Sequence, residues 1–179
     1  ELAQNAADAA TRAGITGALR VWADDDGVHI ANVGAPLDGA GVEALTALRA
    51  STKTGAIGRF GVGFTAVLAV SDDIEVRSRT GSIRFSGERT RAALQDRAPT
   101  PAGSAVPVLR LAWPVPEPPA PGSDTEIVLR PRPGVDVAAL LAGFRDEATD
   151  LLLELPALGS ISVGDDEYTC TRTDLGNGL

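Results

Sequence analysis

Methionine is absent from this chain of 179 residues, which has one Cys, one His and one Lys against fifteen Arg, with aromatic residues at only 4%. A single Cys cannot build an internal disulfide framework, and one Cys with one His cannot supply an ordinary His/Cys zinc site. The formal charge is −8 and the sequence pI near 4.6. That balance argues against broad nucleic-acid binding, which needs an excess of Lys and Arg beside phosphates. No apolar run approaches the roughly 20 residues that cross a bilayer, and no signal-peptide pattern opens the chain, so the expected compartment is the cytoplasm, away from any membrane. A chain that lacks Met and opens at Glu1 is expected to be a piece of a longer protein.

Apolar residues make up 44% of the chain, enough for a globular core, and the length suits one domain spanning 1–179. Glu1 to Ala13 is Ala-rich, without β-branched residues before Thr11, and predicts a helix stopped by Gly14. Gly17 to Ala23 alternates as a strand, Asp25, Asp26 and Gly27 supply turn chemistry, and Val28 to Ala31 returns as a second strand. The acidic run Asp24 to Asp26 lacks the spaced oxygen ligands of a calcium loop and reads as a solvated turn. Helices are expected over Gly41 to Ala50 and Val62 to Val70, around a polar loop from Ser51 to Phe60. Strands are expected at Ile74 to Arg79 and Ser82 to Phe85, then a short surface helix at Arg89 to Arg97. Eight of the twelve prolines fall between Pro99 and Pro121; that segment predicts a loop region around one strand, Val108 to Trp113. A strand at Glu126 to Arg130 precedes the clearest helix, where Val137, Leu140, Leu141, Phe144, Ala148, Leu151, Leu152 and Leu155 form one apolar stripe. Ser160 to Val163 and Glu167 to Thr171 close the chain as strands. The expected architecture is an α/β (α+β) two-layer sandwich, a mixed and mostly antiparallel sheet covered on one face by helices.

Three features carry chemistry. At about 100° per residue, Glu1, Asn5, Asp8 and Arg12 fall within roughly a 60° sector of the first helix. A solvated helix face accounts for that stripe. It also sets an amide one turn from a carboxylate, where the amide oxygen can ligate Mg²⁺ and the carboxylate can activate water. The second feature, Gly58-Arg59-Phe60-Gly61-Val62-Gly63-Phe64, precedes an apolar segment; glycines allow close backbone approach, and free N–H groups at a helix start favour an anion. The same glycines also permit tight packing, and no Lys-Ser or Lys-Thr pair follows as in a Walker loop. The sole Lys, Lys53, lies with Arg59 in the preceding loop, where an acidic domain needs positive charge to accept a triphosphate. Third, Asn32-Val33-Gly34-Ala35-Pro36-Leu37-Asp38 ends a strand in a polar turn, from which Asn32 can hydrogen-bond a base edge. His29 and Cys170 read as ordinary strand residues.

In this order the chain resembles the GHKL ATPase superfamily, which includes the ninety-kilodalton heat-shock chaperones, gyrase B, MutL and histidine-kinase catalytic domains. Glu1 to Ala9 resembles its N box, Asn32 to Asp38 its first glycine box, Gly58 to Phe64 its second, and Asp124-Thr125-Glu126-Ile127 its Gly-Thr-x-Ile strand. The Asn-x-Gly-x-Pro turn, Ser51-Thr52-Lys53 and Ile57 to Phe64 are most similar to sacsin-type, chaperone-like ATP-binding domains. The resemblance implies a Bergerat fold holding ATP and Mg²⁺ under a lid. It implies Glu1 as the general base, Asn5 as the Mg²⁺ ligand, Asp8 lining the pocket and Asn32 and Thr125 reading adenine. It further implies Gly34 beside the ring, with Lys53, Arg59 and the backbone of Gly61, Val62, Gly63 and Phe64 at the phosphates. Neighbouring domains or a client protein are the implied partners. The family's first glycine box normally opens with Asp; the Asn32 carbonyl still accepts a hydrogen bond, but its nitrogen only donates, which weakens the expected pairing by about 1 kcal/mol. Two functions stay open: a slow, lid-gated ATPase, or a nucleotide-sensing interaction module that binds ATP or ADP and scarcely hydrolyses it. A structural domain with vestigial motifs is a third.

Overall fold

A computed structural model describes residues 1–46, 64–95 and 105–172. The elements in chain order are α1 (Leu2–Ala13), β1 (Gly17–Ala23), β2 (Val28–Asn32), α2 (Gly39–Thr46), β3 (Asp73–Ser78), β4 (Ser82–Ser86), α3 (Gly87–Gln95), β5 (Ala112–Val115), β6 (Thr125–Arg130), α4 (Val137–Glu154), β7 (Leu158–Val163) and β8 (Asp166–Thr169). The eight strands form one sheet in the order β5-β4-β3-β6-β2-β1-β7-β8. Among the described residues only β1 and β7 run parallel; every other pairing there is antiparallel. The fold is therefore α+β, a mixed eight-stranded sheet with α1 and α4 packed on one face.

Period-two alternation decides which face that is. Leu19, Val21, Ile30, Ile74, Val76, Leu129 and Ile161 point toward the helices and form the core with Ala3, Ala6, Ala7, Ala148 and Leu152. Alanines on α1 and glycines opposite let helix and sheet approach closely: a Cβ on Gly17 would lie 2.6 Å from the Ala10 Cβ. Gly14 ends α1 with φ 66, a left-handed conformation that glycine adopts without steric cost. Asp136 caps α4 by accepting from the Ala139 N–H at 3.0 Å.

Two expectations need correction. The strand read at Val108 to Trp113 is a 3-10 turn over Val108–Arg110, which buries Val108 and Leu109, followed by β5 two residues further on. β5 contains Pro114 and lies at the sheet edge, where a residue without an N–H is tolerated. The apolar helix read at Val62 to Val70 is, over its described part, a 3-10 helix from Phe64 to Ala69. At three residues per turn, Phe64 and Val67 fall on one side, and both are buried. Among the described residues no helix is long and apolar enough to cross a membrane.

Candidate functional site

The candidate site lies where the polar stripe of α1 faces the ends of β2 and β6. Asn32 closes β2 in register with Thr125 of β6 on one side and Leu19 of β1 on the other. The turn after Asn32 is tied down almost residue by residue. Val33 N–H donates to the Ala18 carbonyl at 3.0 Å and Ala35 N–H to the Ala9 carbonyl at 2.9 Å. Gly34 N–H donates to the Asp124 carboxylate at 2.9 Å, Leu37 N–H to the Thr125 hydroxyl at 3.3 Å, and Gly41 N–H to Asp38 Oδ1 at 2.8 Å. The last of these caps α2. The Arg79 guanidinium and the Gly34 N–H hold the Asp124 carboxyl below its ordinary pKa.

Between these elements is a cleft lined by Asn5, Asn32, Thr125, Leu37, Leu45 and Phe64, among others. Residues far apart in sequence therefore meet: an amide from α1, an amide from β2 and a hydroxyl from β6. The Asn32 Nδ2 atom is buried without a hydrogen-bond partner, a cost that a ligand acceptor would relieve. The cleft holds about 60 Å³, below the roughly 300–1,000 Å³ of drug-sized ligand pockets.

The other expected site residues are placed as follows. Glu1 is exposed at the N-cap of α1 and lines a different space, an apolar groove of about 300 Å³ among α1, α4 and the sheet. Leu2 and Ile30 separate the two, since they border both. Asp8 is half-buried, accepts from the Gln4 amide at 2.9 Å, and is not part of the cleft wall. Gly34 sits hard against α1: a Cβ there would be 2.7 Å from the Ala9 carbonyl carbon. Its absence of a side chain serves helix–turn packing. Lys53, Arg59, Gly61, Val62 and Gly63 lie outside the described residues, while Phe64 is buried, tilted against Phe85 at 6.4 Å. Among the described residues no group of three or more His, Cys, Asp or Glu is placed to hold a metal.

The opposite face of the sheet carries a cluster the sequence reading passed over. His29 is buried (3% exposed), with Nδ1 at 2.6 Å from Glu126 and Nε2 at 2.8 Å from Asp24. Trp22 stacks on the imidazole at 4.8 Å, with Arg20 over the indole. Burial alone would lower the His29 pKa, but hydrogen bonds to Glu126 and Asp24 outweigh it and raise the pKa above 6.5. Alongside, Arg77 and Arg130 bridge Glu75 and Asp26. The Asp24 to Asp26 turn is exposed as expected, yet its first and third carboxylates belong to this network. The detectable signal was charged residues at alternate positions in otherwise apolar strands: His29, Glu75 and Glu126.

No protein-family model matches this chain, and no curated protein matches it significantly.

Proposed function

We propose that this chain is a Bergerat-type (GHKL) nucleotide-binding domain, a chaperone-like ATPase unit that takes Mg-ATP under a lid and hydrolyses it slowly to drive conformational change. The observation that carries the reading is the meeting of Asn5, Asn32 and Thr125 on one cleft. The three come from separate segments of the chain, α1, β2 and β6. The unpartnered Asn32 nitrogen adds to it, because a buried donor without a protein acceptor is one that an acceptor on a base edge would satisfy.

In this reading Asn32 and Thr125 hold the base edge, and Asn5 offers its amide oxygen to Mg²⁺. The bound nucleotide supplies the phosphoanhydride to be cleaved and most of the metal's ligands. Gly34 shapes the wall behind the base by letting the turn close against α1, while Asp8 stands outside the described cleft wall, held by the Gln4 amide. Lys53, Arg59 and the backbone from Gly61 to Phe64 neutralise and hold the phosphates. Glu1, one turn before Asn5, takes a proton from the attacking water. Opening of the narrow cleft on nucleotide entry gives the motion that neighbouring domains or a client protein would sense.

Calorimetric titration with Mg-ATP tests binding; Asn5→Ala is expected to weaken Mg-ATP more than metal-free ATP. Turnover compared with Glu1→Ala tests the base, and equal rates would remove Glu1 from the mechanism. One observation favours the second reading, a nucleotide sensor with little hydrolysis: Glu1 borders a groove separate from the cleft of Asn5. Tight binding without phosphate release would select that sensor.

A further inference from the structure

Resting on the nucleotide reading, we propose that Asn32 makes the site accept 6-oxopurine as well as 6-aminopurine nucleotides. No carboxylate lines the described wall of the cleft. A carboxylate only accepts, so against the position-6 and N1 edge of either base it meets one donor and one acceptor. An amide carries both an acceptor and a donor, and a half-turn of the terminal torsion exchanges them. With its oxygen toward position 6, Asn32 accepts from an amino group and its nitrogen donates to the unprotonated N1 of adenine. Turned over, its nitrogen donates to a 6-oxo group and its oxygen accepts from the protonated N1 of hypoxanthine.

Two features let that half-turn occur. The Asn32 nitrogen has no partner within the protein, so the exchange breaks no hydrogen bond made by that nitrogen. Thr125, its cross-strand neighbour, already accepts from the Leu37 N–H through its hydroxyl oxygen. Its hydroxyl proton remains able to rotate, and the oxygen keeps a second lone pair. Neither neighbouring group therefore demands one base over the other.

ATP and ITP, which differ at position 6 and in N1 protonation, are the probes. Titration calorimetry of the wild-type protein in Mg²⁺ is expected to give dissociation constants within about tenfold of each other. Asn32→Asp, whose carboxylate meets one donor and one acceptor on either base, is expected to weaken ATP and ITP alike, each by roughly ten- to a hundredfold. A wild-type protein that binds ATP and rejects ITP by a hundredfold overturns the proposal, as does a folded Asn32→Asp that binds both nucleotides as tightly as wild type. If the variant does not fold, the wild-type ratio decides alone. A protein that binds neither nucleotide overturns the nucleotide reading itself, an outcome distinct from binding ATP only.

Discussion

Replacing His29 with Ala should destabilise the protein in a pH-dependent way. The substitution leaves Glu126, 2% exposed, without its imidazolium partner. Removing one member of a buried ion pair costs about 3–5 kcal/mol. Glu126 keeps the Ala120 N–H at 2.7 Å and a more distant Arg77 at 3.9 Å, which sets the expectation at the lower end, about 3 kcal/mol. Asp24 adds little, since its carboxylate is 51% exposed and exposed pairs contribute about 0–1 kcal/mol. For a domain of this size the loss corresponds to a melting temperature lower by roughly 6–12 °C near pH 6. The His29 pKa is higher in the folded state than its ordinary 6.5. Protonation therefore stabilises the fold; the gain is complete below pH 6.5 while the carboxylates stay ionised, and it is lost as pH rises through the folded-state pKa. Urea unfolding of wild type and variant from pH 5.5 to 9 is the assay. The difference between them should be largest at pH 5.5–6.5 and shrink toward pH 9. A difference that is flat across that range, or under about 1 kcal/mol at pH 6, would refute the buried ion pair as the source.

Substitutions at two further positions probe how the site is held. Gly34→Ala places a methyl 2.7 Å from the Ala9 backbone, so α1 must shift; overpacking of this kind costs about 1–3 kcal/mol, read as a lower melting temperature together with weaker nucleotide binding. Asp124→Ala removes the acceptor for Gly34 N–H, a charge-assisted bond worth about 1.5–3 kcal/mol. Asp124→Asn keeps an acceptor there and gives up mainly the pair with Arg79, which is 69% exposed, so thermal melts should show Asn close to wild type and Ala well below it.

Where local chemistry decides conformation, the sequence was a sufficient guide. The boundaries of α1 and β1, the left-handed Gly14 stop, and α4 with its apolar stripe follow from helix propensity, glycine's conformational freedom and hydrophobic period. The candidate site was legible for the same reason: Asn5 and Asn32 stand out as polar residues at fixed spacing from an apolar helix face and a strand end. The shift of the Val108 to Trp113 strand was not legible. An edge position tolerates Pro114, and edge position is a property of strand order, which no local pattern states.

Composition by itself excluded a disulfide framework and a His/Cys zinc site, and periodicity placed α1, α4 and most strands. Only the tertiary structure decided which polar groups meet. Antiparallel pairing of β2 with β6 set Asn32 beside Thr125, and the packing of Gly34 against Ala9 brought Asn5 of α1 to the same cleft. The same pairing put His29 and Glu126 on the other face, where burial and two carboxylates turn an ordinary strand histidine into the centre of an ion network. Contacts between residues distant in the chain depend on register and layer packing, and those are fixed by the whole sheet rather than by any one segment.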